Sequence, residues 1–260
     1  IQGPLQDHLS GANEQYPLKV LANSWMGGVL MEELSIRHFA LWRDERLIKG
    51  KANTIMRELR ILRVLLDWAK DELGCQLSSN PARELKVRGV SDARFPYFTP
   101  AQKNKLLAAL GQSKNPNHKR LTQLALATGM RRSELLAIKW SDLDLKNKLV
   151  HLSRKDCAAT GRQSSQRFVP LSPQSIALFK NYPKTNPRVI DLTIGAARHG
   201  FNRARKAAGL NHLRFHDLRH IAISNMWAAG MNALQISEAS GHKDLRMLMR
   251  YSHYQLGYGG

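Results

Sequence analysis

Residues 121–135 read LTQLALATGMRRSEL, and this stretch indicates how the C-terminal part of the chain folds. The apolar residues at 121–127 predict a buried helix that ends at Gly129, after which a second helix begins and carries Arg131. Glu134 lies three residues later, within reach of the same helix face. An arginine oriented by an acid can present a fixed pair of N–H groups to phosphate oxygens. Taken alone, however, the segment is better explained by an ordinary surface salt bridge.

Further helices are predicted on both sides of this stretch. Thr99, Pro100 and Gln102 are typical of a helix start, since they supply the N-cap, the first-turn proline and the capping-box residue. Hydrophobic periodicity predicts helices over about 100–110, 118–128, 132–139, 172–181, 194–208, 217–229, 232–240 and 244–254. Between residues 149 and 171, apolar residues flank a polar segment at 154–166, which predicts a β-hairpin with a long basic tip.

The first 90 residues are predicted to be helical as well. Residues 35–48 have a mixed amphipathic pattern, and in 52–73 apolar residues recur at three- and four-residue steps. The second stripe is typical of a buried helix face, and the arginines around it fit either a solvated face or a DNA-facing one. Ser-Ser-Asn-Pro at 78–81 ends that helix, and a basic segment without periodicity follows. We therefore predict a helical domain at 1–90, a linker at 91–98 and a second domain at 99–260.

The charge of the chain indicates a polyanionic partner. Lys and Arg number 40 against 20 acidic residues, and the formal net charge of +20 is spread along the chain rather than confined to a tail. This charge favours nucleic acid, although a ribosomal protein or a membrane-binding protein would share it. Hydrophobic residues make up 43% of the chain, which is typical of a folded protein and argues against disorder.

Several other protein classes are disfavoured. Cys75 and Cys157 lie far apart and outside any C-x-x-C pattern, so we expect neither a disulfide framework nor a zinc site, and a reducing cytoplasm is the expected location. No apolar run approaches the ~18 residues of a membrane span, and the first residues do not resemble a signal peptide. Because the chain opens at Ile1 rather than Met, we expect an N-terminal piece to be missing.

A second cationic segment reads HDLRH at 216–220. His216, Arg219 and His220 share one helix face, since they stand at i, i+3 and i+4. Two histidines at this spacing could bind zinc, but the Glu of H-E-x-x-H is absent and no convincing third ligand is found, so a metal site is disfavoured. A histidine beside an arginine can instead donate hydrogen bonds to a phosphate and move a proton near neutral pH.

A third segment combines Ser240-Gly241-His242 with Tyr251, which follows the histidine by nine residues. A tyrosine near a C-terminus is usually a surface or core residue. Because a phenolic hydroxyl has an ordinary pKa of ~10, a tyrosine that acts as a nucleophile needs cations and a base close by. The segments at 128–135 and 216–220 supply both, with arginines as the cations and histidines as candidate bases.

In this order the three segments resemble the active-site signature of the tyrosine recombinases, also called the phage integrase family. The matching elements are T-G-x-R-x-x-E-L at 128–135, H-x-L-R-H at 216–220, G-H at 241–242 and R-Y-x-H at 250–253, and RFVPL at 167–171 is similar to the R-x-V-P-L strand of the family. The resemblance is strong over 98–254 and fainter over 35–85. Within the family, the chain is most similar to phage and plasmid integrases and to shufflon-type DNA invertases.

The resemblance implies a mainly α fold with a small β-hairpin or sheet. In the two-domain architecture of the family, an N-terminal helical domain binds the core DNA site and a C-terminal mixed α/β domain is catalytic. The implied enzyme is bacterial or phage-encoded and cytoplasmic, and it cuts and rejoins specific sites in double-stranded DNA, for integration, excision or inversion, as a homotetramer on DNA. No cofactor and no metal are expected. Two alternatives stay open: DNA relaxation like that of a type IB topoisomerase, and a non-catalytic DNA-binding protein with the same fold.

The resemblance also implies roles for individual residues. Tyr251 would attack the scissile phosphate and form a 3′-phosphotyrosine, while Arg131 and Arg219 hold the non-bridging oxygens. His216 would assist deprotonation of the tyrosine, and His242 would bond to the phosphate. This scheme needs neither metal nor nucleotide.

Lys155, at the tip of the hairpin, would protonate the departing 5′-oxygen. It departs from the family pattern in two ways, because Asp156 follows it where Thr or Gly is usual and because the tip is longer than usual. Arg154 and Arg162 compete for the role, although an arginine gives up a proton poorly at neutral pH.

Four neighbouring residues are expected to support the site or to lie outside it. Glu134 would align Arg131. His220 and Arg132 are expected to be structural or to contact the DNA backbone. His253 could assist Tyr251, but a surface histidine is the favoured interpretation.

Overall fold

The computed structural model describes residues 12–75, 79–89, 97, 99–153, 166–242 and 244–251. The described residues up to 89 form one compact unit and those from 97 onward form another, and each unit has a hydrophobic core of its own. Most elements are helices, and three short strands form one antiparallel sheet, so the predicted fold class is confirmed. Among the helices in these ranges, none has the length and apolar character needed to cross a membrane.

The described part of the first unit consists of helices and 3₁₀ turns. Its elements are α1 (Ala12–Ala22), the 3₁₀ turns Trp25–Gly28 and Met31–Glu33, α2 (Ile36–Lys49), α3 (Ala52–Leu73) and α4 (Pro81–Glu84). The helix predicted over 52–73 is confirmed with these bounds, and Ile55, Leu59 and Leu62 of its apolar stripe are buried. Glu58 on α3 is also buried, and it accepts hydrogen bonds of 2.7 and 3.0 Å from Arg46 on α2. This buried charge is therefore paired, as burial requires.

The second unit contains the remaining helices. They are α5 (Pro100–Gly111), α6 (Asn117–Thr128), α7 (Arg132–Ala137), α8 (Pro173–Lys180), α9 (Ile194–Ala207), α10 (Asp217–Ala228), α11 (Ala233–Ser240) and α12 (Arg246–Met249). The predicted capping box before α5 is confirmed, since the Gln102 side chain accepts from the Thr99 backbone at 2.8 Å and the Thr99 hydroxyl accepts in return at 3.2 Å. Leu106, Leu124 and Phe201 contribute fully buried side chains to the core that these helices enclose.

The sheet lies between α7 and α8 in the chain. Its strands β1 (Leu143–Asp144), β2 (Leu149–Ser153) and β3 (Gln166–Pro170) pair in sequence order. The predicted hairpin is confirmed as β2 and β3, in which Val150 pairs with Val169 and both side chains are buried against the core. Strand β1 was not predicted, because two residues are too few to show a period. Of the polar tip predicted at 154–166, Gln166 is the first residue of β3, and residues 154–165 lie outside the described residues.

The helix predicted over 244–254 is confirmed in part, over four of its described residues. Helical backbone is confined to α12. Before it, the Asp244 carboxylate accepts the backbone N–H of Arg246 at 2.9 Å, so residues 244–245 form a local turn instead of a helix. After it, the backbone N–H of Tyr251 bonds to Leu248, three residues back, which tightens and ends the helix. Residues 252–254 lie outside the described residues.

Candidate active site

The turn between α6 and α7 places Arg131 beside Arg219 of α10. Gly129 ends α6 in the left-handed conformation (φ 63°), which favours glycine, and the chain can therefore enter α7 almost at once. The glycine faces Ala222 of α10, and its carbonyl accepts a 2.8 Å hydrogen bond from Arg219. Arg131 is the N-cap residue of α7. The tight turn is thus what brings two cationic side chains from distant parts of the sequence together.

Arg131 is held at both ends of its guanidinium group. Nη1 donates to Glu134 Oε1 at 3.1 Å, and Nη2 donates to the carbonyl of Gly241 at 3.0 Å. The other carboxylate oxygen of Glu134 accepts the backbone N–H of Arg131 at 2.9 Å. The arginine side chain remains 38% exposed. It is therefore oriented by the protein and still accessible to an anionic ligand.

Arg219 is buried, with only 4% of the residue exposed. Its Nη1 donates to the carbonyls of Gly129 and Ser240 at 2.8 and 2.6 Å, and its Nη2 lies 3.2 Å from the ring nitrogens of His242. Burial, and then the nearby charge of Arg131, lower the pKa of the guanidinium to about 10, so the group stays positive at neutral pH. It supplies a fixed positive charge in a region that largely excludes water.

His242 follows the end of α11 and contacts Arg219. The Ser240 hydroxyl donates to the carbonyl of Ile236 at 2.5 Å, so its oxygen is the acceptor for Nδ1–H of His242 at 2.8 Å. In this tautomer, Nε2 accepts the hydrogen bond from Arg219. Burial, and then the charge of Arg219, lower the pKa of His242 to about 3, so the ring is neutral at pH 7.

Tyr251 is enclosed by apolar side chains and is only 2% exposed. It belongs to a buried cluster with Ile223, Trp227, Ile236 and Leu248. Its hydroxyl is hydrogen-bonded to Nδ1 of His220, and the two rings stack with their centroids 5.8 Å apart. Burial, and then the neighbouring His216, lower the pKa of His220 to about 4. The neutral His220 ring can therefore accept the hydroxyl hydrogen of Tyr251.

From the sequence, His220 had no expected role at the nucleophile, and the deprotonation of Tyr251 was expected of His216. The His216 ring packs edge-on against His220, with centroids 5.0 Å apart, at the start of α10. Partial burial of His216 and the charge of Arg219 lower its pKa. The available sequence signal was the position of His220, one turn after His216 on the same helix face. The contact with Tyr251 depends on how α12 packs, which the motif does not indicate.

Glu134 is shared between two arginines. Besides its contacts with Arg131, its Oε2 accepts a 2.8 Å hydrogen bond from Nη2 of Arg167 on β3. From the sequence, Glu134 was expected to pair only with Arg131, and Arg167 stood out solely as part of the RFVPL strand. The sheet brings this second arginine to the carboxylate.

Some of the predicted site residues belong to the undescribed part of the chain. Lys155, its competitors Arg154 and Arg162, and His253 lie outside the described residues. In the described part of the chain, no three His, Cys, Asp or Glu side chains are grouped as a metal site would require.

The described arrangement is suited to a phosphodiester. Arg131 and Arg219 supply two guanidinium groups, and His242 and the His220–Tyr251 pair lie beside them. Charge-assisted hydrogen bonds to phosphate oxygens are about twice as strong as neutral ones, and donors fixed in advance need no reorganisation when charge develops. The site can therefore bind an anion and stabilise additional negative charge on it.

The lowered histidine pKa values predict how stability depends on pH. Since His220 and His242 have pKa values of about 4 and about 3 in the folded protein and ~6.5 when unfolded, the unfolded state binds more protons between these limits. We therefore expect the free energy of unfolding to fall as the pH is lowered from 7 to 5, a range above most carboxylate titrations. Urea denaturation at pH 7, 6 and 5 measures it. The variants His220→Gln and His242→Gln should each weaken the pH dependence of the free energy of unfolding. A variant that keeps the full wild-type dependence would show that the replaced histidine is not its source.

Comparisons with known proteins are in line with this geometry. The family described as "Phage integrase family" matches residues 96–256. Among curated proteins, the chain is 31% identical over 234 residues to a shufflon-specific DNA recombinase of Escherichia coli, which covers 86% of this chain. The match covers 59% of the length of that recombinase, so the chain spans less than two thirds of this relative.

Solved structures share the fold. An integrase of the transposon Tn1549, in complex with circular intermediate DNA, has a TM-score of 0.72 at 21% identity and covers 91% of this chain and 87% of its own. A lambda integrase tetramer bound to a Holliday junction has a TM-score of 0.69 at 19% identity and covers 89% of this chain and 70% of its own. At these identities, the likeness concerns the fold alone.

Proposed function

Because the chain belongs to the phage integrase family, we propose that it is a site-specific DNA recombinase that cuts and rejoins duplex DNA through Tyr251. One observation carries the proposal: one site gathers four side chains, from Arg131 at the start of α7, Arg219 on α10, His242 after α11 and Tyr251 after α12. Arg131 and Gly241, whose carbonyl accepts from it, lie 110 residues apart in sequence. A protein that only binds DNA has no need of a tyrosine hydroxyl beside phosphate-binding groups.

The first step forms one bond and breaks another. The Tyr251 oxygen loses its proton and attacks the scissile phosphorus, and the bond from phosphorus to the 5′-oxygen breaks. The products are a 3′-phosphotyrosine and a 5′-hydroxyl, and the number of phosphoester bonds is unchanged. Since no bond energy is lost to water, a 5′-hydroxyl from a second duplex can reverse the reaction and join new partners without a nucleotide cofactor.

The two arginines stabilise the transition state in this scheme. In the pentacovalent arrangement, negative charge grows on the two non-bridging oxygens, and Arg131 and Arg219 donate to them. A single preorganised donor of this kind contributes ~3–4 kcal/mol to catalysis. His242 needs a proton on Nε2 to donate to the phosphate. The negative charge of the phosphate favours the protonated imidazole, which offsets part of the effect of Arg219 on its pKa.

Tyr251 has to leave its sheltered position before it can attack. In the described structure its ring is buried and its hydroxyl is bonded to His220. We propose that DNA binding turns the hydroxyl toward the phosphate, and that His216, which lies against His220, assists in removing the proton. Both histidines are neutral at pH 7, as a proton acceptor must be.

Lys155 is the proposed general acid for the 5′-oxygen. An ammonium group can donate a proton at neutral pH. Once the amine has been reprotonated, it can do so again in the next strand cleavage. Arg154 and Arg162, in the same segment of the sequence, hold their protons too tightly for this step. Glu134 is proposed to orient Arg131, in agreement with the hydrogen bonds between them.

Exposed cations outside the site support a DNA partner. On α9, the exposed residues include Arg198, Arg203 and Lys206, and on α3 they include Arg57 and Arg60. Contacts from such side chains to phosphates fix the register of a protein on DNA, and each phosphate neutralised makes binding more sensitive to salt. We propose that domains at 1–90 and 99–260, joined by a linker at 91–98, both contact the recombination site in the bacterial cytoplasm, and that four copies assemble on paired sites.

An exchange assay tests the function. Two labelled duplexes from the native locus, one nicked beside the candidate site, are mixed with wild-type protein and analysed on denaturing and native gels. A recombinase yields a covalent adduct, four-way junctions and products with exchanged flanks. Plasmid relaxation without exchange would favour the topoisomerase alternative. Tight binding without any adduct would favour a non-catalytic protein and contradict the proposal.

A further inference from the structure

Arg167 on β3 makes contacts that the proposed chemistry does not use. Its side chain is 22% exposed, less than that of Arg131. Nη2 donates to Glu134 Oε2 at 2.8 Å, and Nη1 donates to the carbonyl of Glu238 near the end of α11 at 3.2 Å. One guanidinium group thus links the sheet to two other elements, α7 and α11.

The same group lies against Gly241. A Cβ atom built at residue 241 would overlap the guanidinium of Arg167, and the glycine has a left-handed backbone (φ 72°). Both features favour glycine at this position, for independent reasons. The turn at 240–242 is therefore shaped around the Arg167 side chain.

Glu134 and the 240–242 turn, which Arg167 contacts, also hold Arg131. Glu134 binds Nη1 and the backbone N–H of Arg131, and the carbonyl of Gly241 binds Nη2. In addition, the carbonyl of Ser240, in the same turn, accepts from Arg219. Arg167 therefore bonds to Glu134 and lies against Gly241, the two residues that fix Arg131.

Electrostatics alone would not place Arg167 here. Its positive charge disfavours the charged form of Arg219, and it stands beside Arg131 in a site that already concentrates cations. A partly exposed salt bridge contributes little to stability, and one with Glu134 could be made with fewer cations at the site. The contribution of Arg167 is therefore geometric. Because the Glu134 carboxylate is hydrogen-bonded to Arg167 as well as to Arg131, it cannot rotate away when a phosphate competes for Arg131.

We propose that Arg167 is a positioning residue for strand cleavage, which holds Glu134 and the 240–242 turn so that both ends of the Arg131 guanidinium are fixed before the phosphate binds. The inference rests on the proposed function, since it concerns the same phosphate-binding site. It assigns to the β3 arginine an effect on the rate of cleavage that is exerted through Arg131 and not through contact with DNA.

Single-turnover cleavage of a nicked duplex tests the effect. For Arg167→Met we expect a 10- to 100-fold lower rate, the scale of a misplacement of about 1 Å, with DNA affinity within about twofold of wild type. Arg167→Lys should recover part of the rate, because one ammonium group can bond to Glu134 or to the Glu238 carbonyl but spans both poorly. Arg188→Met, an exposed arginine of the same unit, is the matched control and should cleave like wild type.

A double-mutant cycle separates positioning from general destabilisation. In an Arg131→Lys background, where no planar guanidinium remains to be fixed at both ends, Arg167→Met should lower the rate less than about threefold. An equal loss in both backgrounds, or a loss of DNA affinity, would overturn the inference, and so would wild-type cleavage by Arg167→Met. If wild-type protein forms no adduct at all, the proposed function fails instead, and the two failures are thereby distinguished.

Discussion

Replacing Tyr251 with phenylalanine is expected to abolish the covalent protein–DNA adduct completely. The hydroxyl is the only group removed, and without its oxygen no phosphotyrosine can form. The ring, which packs in the cluster with Trp227 and Leu248, is retained, so the fold should persist with a loss of ~1 kcal/mol from the hydrogen bond to His220. DNA affinity should stay within about twofold of wild type. Denaturing gels of suicide substrates measure the adduct, and gel retardation measures the affinity.

Tyr182 offers a matched control for this variant. It is also buried, with 8% of the residue exposed, and its hydroxyl donates a 3.2 Å hydrogen bond to the carbonyl of Arg120. Tyr182→Phe should therefore lose similar stability and retain cleavage. An adduct formed by Tyr251→Phe would show that another residue is the nucleophile. A loss of DNA binding would show that Tyr251 has a structural role in the complex.

The second large effect is expected at the two arginines, and the structure predicts that they differ. Arg131→Lys should lower the cleavage rate by 10²–10³-fold, because lysine cannot present two parallel donors to a phosphate. The free energy of unfolding should change by less than ~1 kcal/mol, since Arg131 is partly exposed and its ion pair with Glu134 lies near the surface.

Arg219→Lys should lose activity to a similar degree and stability as well. Arg219 is buried and donates to the carbonyls of Gly129 and Ser240, which a lysine cannot bond with the same geometry. Each buried acceptor left unsatisfied costs ~1–3 kcal/mol. Urea denaturation and single-turnover cleavage, measured on both variants, separate the two effects. Equal stability of the two variants would show that the buried contacts of Arg219 do not stabilise the fold.

Much of the fold was predictable because its signals are local. The helix over Ala52–Leu73 follows from the period of its apolar residues, and the start of α5 follows from Thr99 and Gln102. The two long strands were predictable from apolar residues on each side of a polar segment. The end of the chain was harder to predict, since α12 is a single turn whose bounds depend on the Asp244 side chain.

The site was predictable to the extent that it consists of motifs. Arg131, His216, Arg219, His242 and Tyr251 were singled out because the motifs that contain them resemble the active-site signature of the family. His220 and Arg167 were not, although both lie within the motifs that were recognised. A motif shows which residues occur together in sequence, but it does not show which of them touch.

The sequence by itself therefore determined the helices, the hairpin, the positive charge and the chemical groups available for cleavage, because these depend on residue type and on near neighbours in the chain. Only the tertiary structure decided that His220 holds the Tyr251 hydroxyl and that Arg167 shares Glu134 with Arg131. These contacts join residues 31 and 33 positions apart. They depend on how α12 packs on α10 and how β3 lies beside α7 and α11, and such packing is set by the burial of apolar surface throughout the unit, which no single segment encodes.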